Sequence, residues 1–543
     1  MRILLFCKKY FLRHKFQLLL YIAATIITTA IGIASPYIIG DFLDALVSGA
    51  NFNAIIWFCV IFGGLNVFKI IKGYVTSIVY VKMQAQMSYE LNSDTIKHVQ
   101  NLSLTYVNQN DSAYLSQRIN NDSSTVIVFG ITILQSVLTN ALTLVVPFAI
   151  LLSMNWRITL LFVGFLVAYT AIYLIFKKYL YNAYLVFMEA SNKFFSSLYE
   201  QLRYIKSIKI NSIQPEINKR ADKSFESLQN TTIHRQKLNY MYSSSENVVA
   251  TIAQITLFVV GGIQFINGNF TIGMFTVFTS FFNMMMSAGK YFLGLGASYQ
   301  NVLVAYNRLL EIIEYSRESN GDKTLSDISI ISFNNVCFTY DAAQQDRHIL
   351  HNFSKTFEKG KIYAICGENG SGKTTLVNLI LGLYIDEFQG SITYNGIDIK
   401  AVDVKNARRH LIAFAEQEPM LLNDSIVYNI TYDTDFAIEV NRLDKYINVL
   451  NMQEFIREKS FDYKIDDRNS NTSGGEKQKI AILKTLYRDT PIMVFDEPTS
   501  ALDAQTSKQF VDYLLTIKKD KIIIIITHDS SIKKLCDETI DLL

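Results

Sequence analysis

The sequence predicts an α-helical transmembrane domain of six helices that extend beyond the bilayer, followed by an α/β domain of the P-loop kind. Three observations predict it. Six uncharged apolar stretches occupy the chain up to residue 288. The pattern GxxxxGK[ST] is then met by Gly367 through Thr374, between a strand-like and a helix-like segment. Beyond it, the apolar runs 492–495 and 522–526 close on Asp496-Glu497 and Thr527-His528. Composition agrees: 543 residues, 50% hydrophobic and 18% charged, with mean hydropathy +0.18, are too long and too apolar for one soluble domain. A net charge of +3 argues against a nucleic-acid partner. Cys7, Cys59, Cys337, Cys366 and Cys536 are scattered, without CxxC or metal-ligand spacing, which fits reduced thiols.

Stretches able to cross a hydrocarbon core of ~30 Å are 18–40, 54–68, 125–154, 158–176, 247–266 and 270–288. The second is short unless its helix continues past Lys69 and Lys72 to about Tyr80. The first follows a basic segment, as a secretion signal would. It is longer than a signal's apolar region and runs on into Pro36 and Asp41, so it reads as a retained span. Lys8, Lys9, Arg13 and Lys15 precede it, and 177–246 carries eleven Lys and Arg, whereas 41–53 and 267–269 carry none and 155–157 carries one. Positive charge marks the cytosolic side, so both termini and the two long inner loops are expected there. Those loops suit helices but are too polar for lipid, so the spans are expected to project into the cytosol. The expected bounds are 1–310 for the membrane domain, 311–328 for a linker and 329–543 for the second domain. No internal repeat of this unit is seen, and no N-terminal peptidase domain is expected, since the residues before Leu18 cannot hold one.

Residues 361–366 read as a strand and 374–383 as a helix, with the glycine-rich turn between them. Loop amides and the helix N-terminus would cradle phosphates. Lys373 adds a full charge for the β and γ oxygens, and the Thr374 hydroxyl suits Mg²⁺. Asp496 ends a strand of buried type, a position suited to holding the metal through water, and Glu497 beside it suits a general base toward attacking water. Ser473-Gly474-Gly475-Glu476 lies just upstream of that strand, and Ser500-Ala501-Leu502-Asp503 follows it.

In this order the motifs resemble the ATPase domain of ABC (ATP-binding cassette) transporters, an α/β P-loop ATPase domain. With the six spans ahead of it, the chain resembles an exporter-type half-transporter over about residues 15 to 543. The resemblance implies that Gly367, Glu368, Asn369, Gly370, Ser371, Gly372, Lys373, Thr374 and Thr375 bind ATP, and that Tyr340 stacks on adenine. It implies that Thr374, Gln417 and Asp496 hold Mg²⁺, with Gln417 also reporting to the membrane domain. Glu497, His528 and Lys373 take the catalytic roles, His528 as the switch residue at the γ-phosphate. Ser473, Gly474, Gly475 and Glu476 would grip the ATP of a paired domain, and Asp503 would lie in the loop crossing to it. On the residues alone, Tyr340 also suits a plain sheet face and His528 a hydrogen-bonded loop. Looser landmarks are Tyr114 through Asp122 with Arg118, residues 199–210 with Lys206, and Gly268 through Gly273. In the family, the inner loops carry short coupling helices that seat on the ATPase domain.

Two departures stand out. Thr472-Ser473-Gly474-Gly475-Glu476 replaces the family's Leu-Ser-Gly-Gly-Gln, and the carboxylate of Glu476 is expected to be a mild electrostatic cost near phosphate. Asp466-Asp467-Arg468-Asn469 stands where exporters show Gly-Glu-Arg-Gly. The resemblance implies an ATP hydrolase coupled to transport, acting with a second copy of itself or a related half-transporter. A homodimer is favoured because every catalytic position is intact. The expected activity is export, by alternating access, of an amphipathic or hydrophobic peptide or drug-like substrate. A lipid flippase and a non-transporting membrane-anchored ATPase are the alternatives. The expected setting is a bacterial plasma membrane, with lipid as neighbour. Met284, Met285 and Met286 with Phe278, Phe281 and Phe282 suit either an adaptable cargo wall or helix packing. Lys69, Lys72 and Lys290 suit snorkelling to headgroups or a cavity role.

Overall fold

The apolar runs of the first half fold into helices much longer than the runs themselves. The computed structural model describes residues 2–49, 51–110, 112–268, 270–340, 349–432, 440–466, 472–500 and 502–542. They form two compact units, Met1–Ile96 with Ser116–Ile313, and Lys97–Leu115 with Glu314–Leu543. In chain order the first helices are α1 (Arg2–Arg13), α2 (Lys15–Val47), α3 (Phe52–Val99), α4 (Leu104–Gln109), α5 (Ser112–Met154), α6 (Trp156–Arg203), α7 (Ile205–Asn211), α8 (Gln214–Ile266) and α9 (Ile272–Ile313). Among the described residues, α2, α3, α5, α6, α8 and α9 are long and apolar enough to cross a membrane. At ~1.5 Å per residue, α3, α6 and α8 reach ~70–80 Å, more than twice a ~30 Å hydrocarbon core. Lys69 and Lys72 do not interrupt α3.

Within the first unit, α6 packs along α8 and α2 along α9. The α2–α9 crossing is tight because both helices present glycine. A Cβ on Gly273 would collide with the Gly40 carbonyl oxygen. Asp44 caps the start of α9, accepting from the Gly273 amide at 2.7 Å and the Thr271 hydroxyl at 2.6 Å. Phe278, Phe281, Phe282, Met285 and Met286 are buried in one apolar cluster, with Met284 packed against it. They are packing residues, not a cargo wall. Toward the other end, Arg308 pairs with Asp122 at 2.6 Å, and Arg118 pairs with Glu311, tying α5 to α9. The side chains of Tyr114 and Gln117 and the position of Asn269 lie outside what is described.

The second unit begins with β1 (Ile330–Phe338), β2 (Leu350–Glu358), β3 (Lys361–Gly367) and α10 (Lys373–Ile380). Then come β4 (Phe388–Tyr394), β5 (Ile397–Asp398), α11 (Val404–His410), β6 (Ile412–Ala415), α12 (Ile426–Thr431), α13 (Val440–Val449) and α14 (Gln453–Lys459). It ends with α15 (Gly474–Arg488), β7 (Ile492–Asp496), α16 (Ala504–Ile517), β8 (Ile522–Ile526), α17 (Ser530–Lys533) and β9 (Glu538–Leu542). An antiparallel sheet has the order β2-β1-β4-β5, and a five-stranded sheet the order β6-β7-β8-β3-β9. The pairings of β6, β7, β8, β3 and β9 are parallel. All five isoleucines of β8 are buried, as expected of a central parallel strand covered on both faces. Ile522, Ile524 and Ile526 pack into one core, and Ile523 and Ile525 into the other.

The short helix α4 belongs to this second unit, although the chain reaches it between two spans. Leu104 packs against the sheet core. The Thr105 hydroxyl donates to the Glu387 carboxylate, and Lys405 donates to the Asn101 side chain at 2.6 Å. The Tyr106 and Tyr315 rings lie 4.4 Å apart.

Candidate nucleotide site

Parallel pairing decides where the chemistry sits. Ile526 of β8 is level with Ile365 of β3 and Asp496 of β7, so three strands end together. The loops leaving them surround a cavity of about 680 Å³. Asn369, Gly370, Gly372, Lys373, Thr374 and Thr375 line it from the β3–α10 turn. Gln417, Asp496, Glu497 and His528 line it from the ends of β6, β7 and β8, and Tyr340 and Ile349 close it.

The turn needs its glycines. Gly370 and Gly372 have φ of 87° and 94°, the left-handed region. Lys373 donates to the Gly367 and Glu368 carbonyls at 2.8 and 2.9 Å, which holds its ammonium over the loop. The Ser371 Oγ is buried and has no partner among the described residues. Loop amides and an ammonium together suit phosphate oxygens. Tyr340 is 41% exposed. Its hydroxyl lies 2.9 Å from the Thr375 Oγ1, and its ring meets those of Phe338 and Tyr384 edge-on at 5.0 and 5.6 Å. Pinned on one side, it can offer the other face to a base.

Opposite the ammonium stand the acids. Burial first, then the charges of Glu497 and Glu416, push the Asp496 carboxyl up to about 6, while Lys373 and His528 oppose the rise. A divalent cation would relieve that charge crowding. The Thr374 hydroxyl, the Asp496 carboxylate and the Gln417 amide oxygen are the hard oxygen donors Mg²⁺ takes. No group of three or more His, Cys, Asp or Glu suited to a metal occurs among the described residues. Such an ion would therefore take most of its ligands from phosphate and water. Glu497 accepts from Gln417 Nε2 at 2.8 Å and lies 3.4 Å from His528 Nε2.

Glu497 has φ 45°, costly for a residue with a side chain. Three bonds hold Glu497 there, one of them from the Ser500 amide to its carbonyl at 3.1 Å. Its amide donates to the Ile526 carbonyl at 2.9 Å, and the buried Gln478 donates to its carbonyl at 2.8 Å and to Ser500 Oγ at 3.1 Å. Gln478 belongs to none of the motifs read from sequence; its signal is a buried amide two residues after the Ser-Gly-Gly-Glu segment.

The remaining expected residues lie elsewhere. Gly367, Glu368 and Ser371 shape the loop without lining the cavity. Ser473, Gly474, Gly475 and Glu476 form the start of α15, and none lines it. Asp503 caps α16 through the Thr506 amide at 2.8 Å. The carboxylate of Glu476 closes a capping box, accepting from the Ser473 amide at 2.6 Å, with Lys459 at 3.5 Å. Burial raises its pKa, but the Ser473 bonds and Lys459 more than offset this and hold it below the usual range. Its carboxylate is thus engaged at the helix start and stays ionised there. Ala501 and the Asp467-Arg468-Asn469 segment lie outside the described residues.

The family of the ABC transporter transmembrane region matches residues 18–288, and the ABC transporter family matches 350–500. The chain is 25% identical over 519 residues to the lactococcin-G-processing and transport ATP-binding protein LagD of Lactococcus lactis, covering 94% of this chain and 73% of that one. It is 27% identical over 414 residues to an ATP-dependent lipid A-core flippase of Burkholderia pseudomallei, covering 74% and 67%. Its fold matches a bacterial Atm1-family ABC exporter with ATP bound at a TM-score of 0.83 and 19% identity, covering 97% and 93%.

Two outcomes test the site. Tyr340→Ala should weaken ATP binding by about 5- to 150-fold, the range of one lost base stack, while Tyr340→Phe retains most of it; equal affinities for wild type and Ala would leave Tyr340 a strand residue. Gln478→Leu should lower kcat by up to about tenfold with ATP affinity unchanged, since the Glu497 carbonyl then keeps only the Ser500 amide and loses a bond worth ~0.5–1.5 kcal/mol. An unaltered kcat would contradict that positioning role.

Proposed function

The chain belongs to the ABC transporter family, and from that premise we propose that it is one half of a homodimeric exporter in a bacterial plasma membrane. ATP hydrolysis coupled to export is the activity of the family. The finer reading rests on one observation above all. Lys373, Thr374, Asp496, Glu497 and His528 meet in one cavity, and the Ser473–Glu476 segment does not line it. A second copy supplies the missing wall, Ser473 and the amides of Gly474 and Gly475 meeting the γ-phosphate, with Asp503 at the crossing.

Thr374 and Asp496, with Gln417 nearby, would hold Mg²⁺, which would supply charge neutralisation for the phosphates. Lys373 binds their oxygens. Glu497 takes a proton from the attacking water, Gln417 orients that carboxylate, and His528 contacts the γ-phosphate and steadies Glu497. ATP at both composite sites favours the closed pair because it binds that state better, and closure turns the membrane cavity outward. Tyr384, in ring contact with Tyr340, shares the surface on which α4 sits. Occupancy of the adenine position is thereby felt at the segment that leads into the spans. The substrate is an amphipathic or hydrophobic molecule, peptide or drug-like. A lipid flippase uses the same machinery.

The test uses purified protein in vesicles with ATP and Mg²⁺ supplied only on the side of the ATPase domain. Wild type should accumulate substrate. Glu497→Gln should bind ATP yet hydrolyse it roughly 10²–10⁴-fold more slowly, the usual contribution of a positioned base, and transport nothing. Normal hydrolysis by Glu497→Gln would remove it as the base, and wild-type vesicles that hydrolyse ATP without moving any amphiphile or peptide would contradict export.

A further inference from the structure

One span carries a cation that is not directed to lipid and meets no acid. Lys72 of α3 turns its ammonium onto α2, where it donates to the Ala24 carbonyl and the Thr28 hydroxyl. Lys69, about one turn earlier, is exposed. Lys290 is paired with the buried Glu246 at 2.7 Å. No carboxylate lies within ion-pair distance of Lys72 among the described residues. Snorkelling explains Lys69; it does not explain Lys72.

Lys72 borders a cavity of about 370 Å³ between α2, α3 and α5. Its wall is rich in hydroxyls, and many are already committed. Thr25 and Thr29 donate to carbonyls of their own helix at 2.8 and 3.0 Å, and the Tyr21 hydroxyl donates to Gln135 Oε1 at 2.7 Å. Others are spare. The Ser77 and Tyr80 hydroxyls and the Gln135 amide nitrogen have no partner among the described residues. The Thr139 Oγ1 is buried and also without one.

A lone charge set among spans is costly unless something of opposite sign meets it, and charges inside spans mark ligand pathways. A cation ringed by spare hydroxyl and amide donors is the set that carboxylate or phosphate oxygens accept. Twenty residues of α3 precede Lys72, ~30 Å of helix, which sets it near the inner face of the hydrocarbon core. On the same two helices Ile26, Ile27, Ile71 and Val75 are exposed apolar side chains. We propose that this cavity receives the acidic head, carboxylate or phosphate, of an anionic amphiphile from the inner leaflet, its charge lying against Lys72. This names the substrate class of the exporter and rests on that reading.

The full-length protein in phosphatidylcholine nanodiscs is titrated with dodecyl phosphate, dodecanoic acid, dodecanol and inorganic phosphate, with empty nanodiscs as blank. Saturable binding of both acidic amphiphiles is expected, with dodecanol and inorganic phosphate at least tenfold weaker. Lys72→Gln should weaken the acidic amphiphiles by about tenfold or more, the scale of one charge-assisted bond. Lys72→Arg should retain them, and Lys69→Gln should change nothing. Equal binding by wild type and Lys72→Gln, an equal loss in Lys69→Gln, or tight binding of dodecanol would overturn the site. Inorganic phosphate binding as tightly as dodecyl phosphate would replace the amphiphile by a soluble anion and overturn the assignment. Unfolding midpoints of the Gln and Arg variants separate lost binding from lost folding. Lys72-dependent binding without ATP-driven movement would overturn export and leave the site; movement indifferent to Lys72 would do the reverse.

Discussion

The second unit depends on one constraint, the parallel register of β3, β7 and β8. Because Ile365, near the end of β3, lies level with Ile526 and Asp496, which end β8 and β7, the phosphate loop, the acids and His528 emerge at a single edge. The isoleucines of β8 hold that register by filling both cores at once. Opposite charges are thereby set facing each other. An ammonium and loop amides stand on one side, two carboxylates on the other, with space for phosphates between. The rise of Asp496 to about 6 expresses that crowding, burial being its main cause.

The same edge also explains the backbone of Glu497. Its left-handed φ turns it out of β7 immediately after Asp496, and bonds to Ile526 and Gln478 keep it there. Gln478 sits on α15, the helix whose first turn is the Ser473–Glu476 segment. One helix thus supports the base of its own cavity from behind while presenting its capped N-terminus elsewhere. On the other flank, Tyr384 joins Tyr340 to the surface under α4.

Much of this is legible in sequence, for stated reasons. Uncharged runs disclose spans because charge is costly in hydrocarbon, and the phosphate loop is disclosed by a glycine pattern its geometry requires. The second span reads as short because Lys69 and Lys72 share one sequence signal and have two fates, and only the fold reveals that Lys72 points to α2. The methionine and phenylalanine cluster of α9 suits an adaptable wall by composition, but its neighbours bury it. Helix α4 is not legible as such because six residues carry no periodicity to read. Ser473-x-x-Glu476 is itself the capping-box spacing. Compared with a glutamine motif it reads as a defect; as a helix start it is ordinary.

The central claim is that each ATP is enclosed by the phosphate loop of one copy and the Ser-Gly-Gly segment of another. Complementation tests it most directly. Copies bearing Lys373→Ala and copies bearing Ser473→Arg, each inactive alone, are mixed and reconstituted together. In a mixed pair one composite site carries both defects and the other carries none. Random pairing makes half the dimers mixed, each with one intact site of two, so hydrolysis should return to roughly a quarter of the wild-type rate. A mixture no more active than either variant alone would contradict the claim.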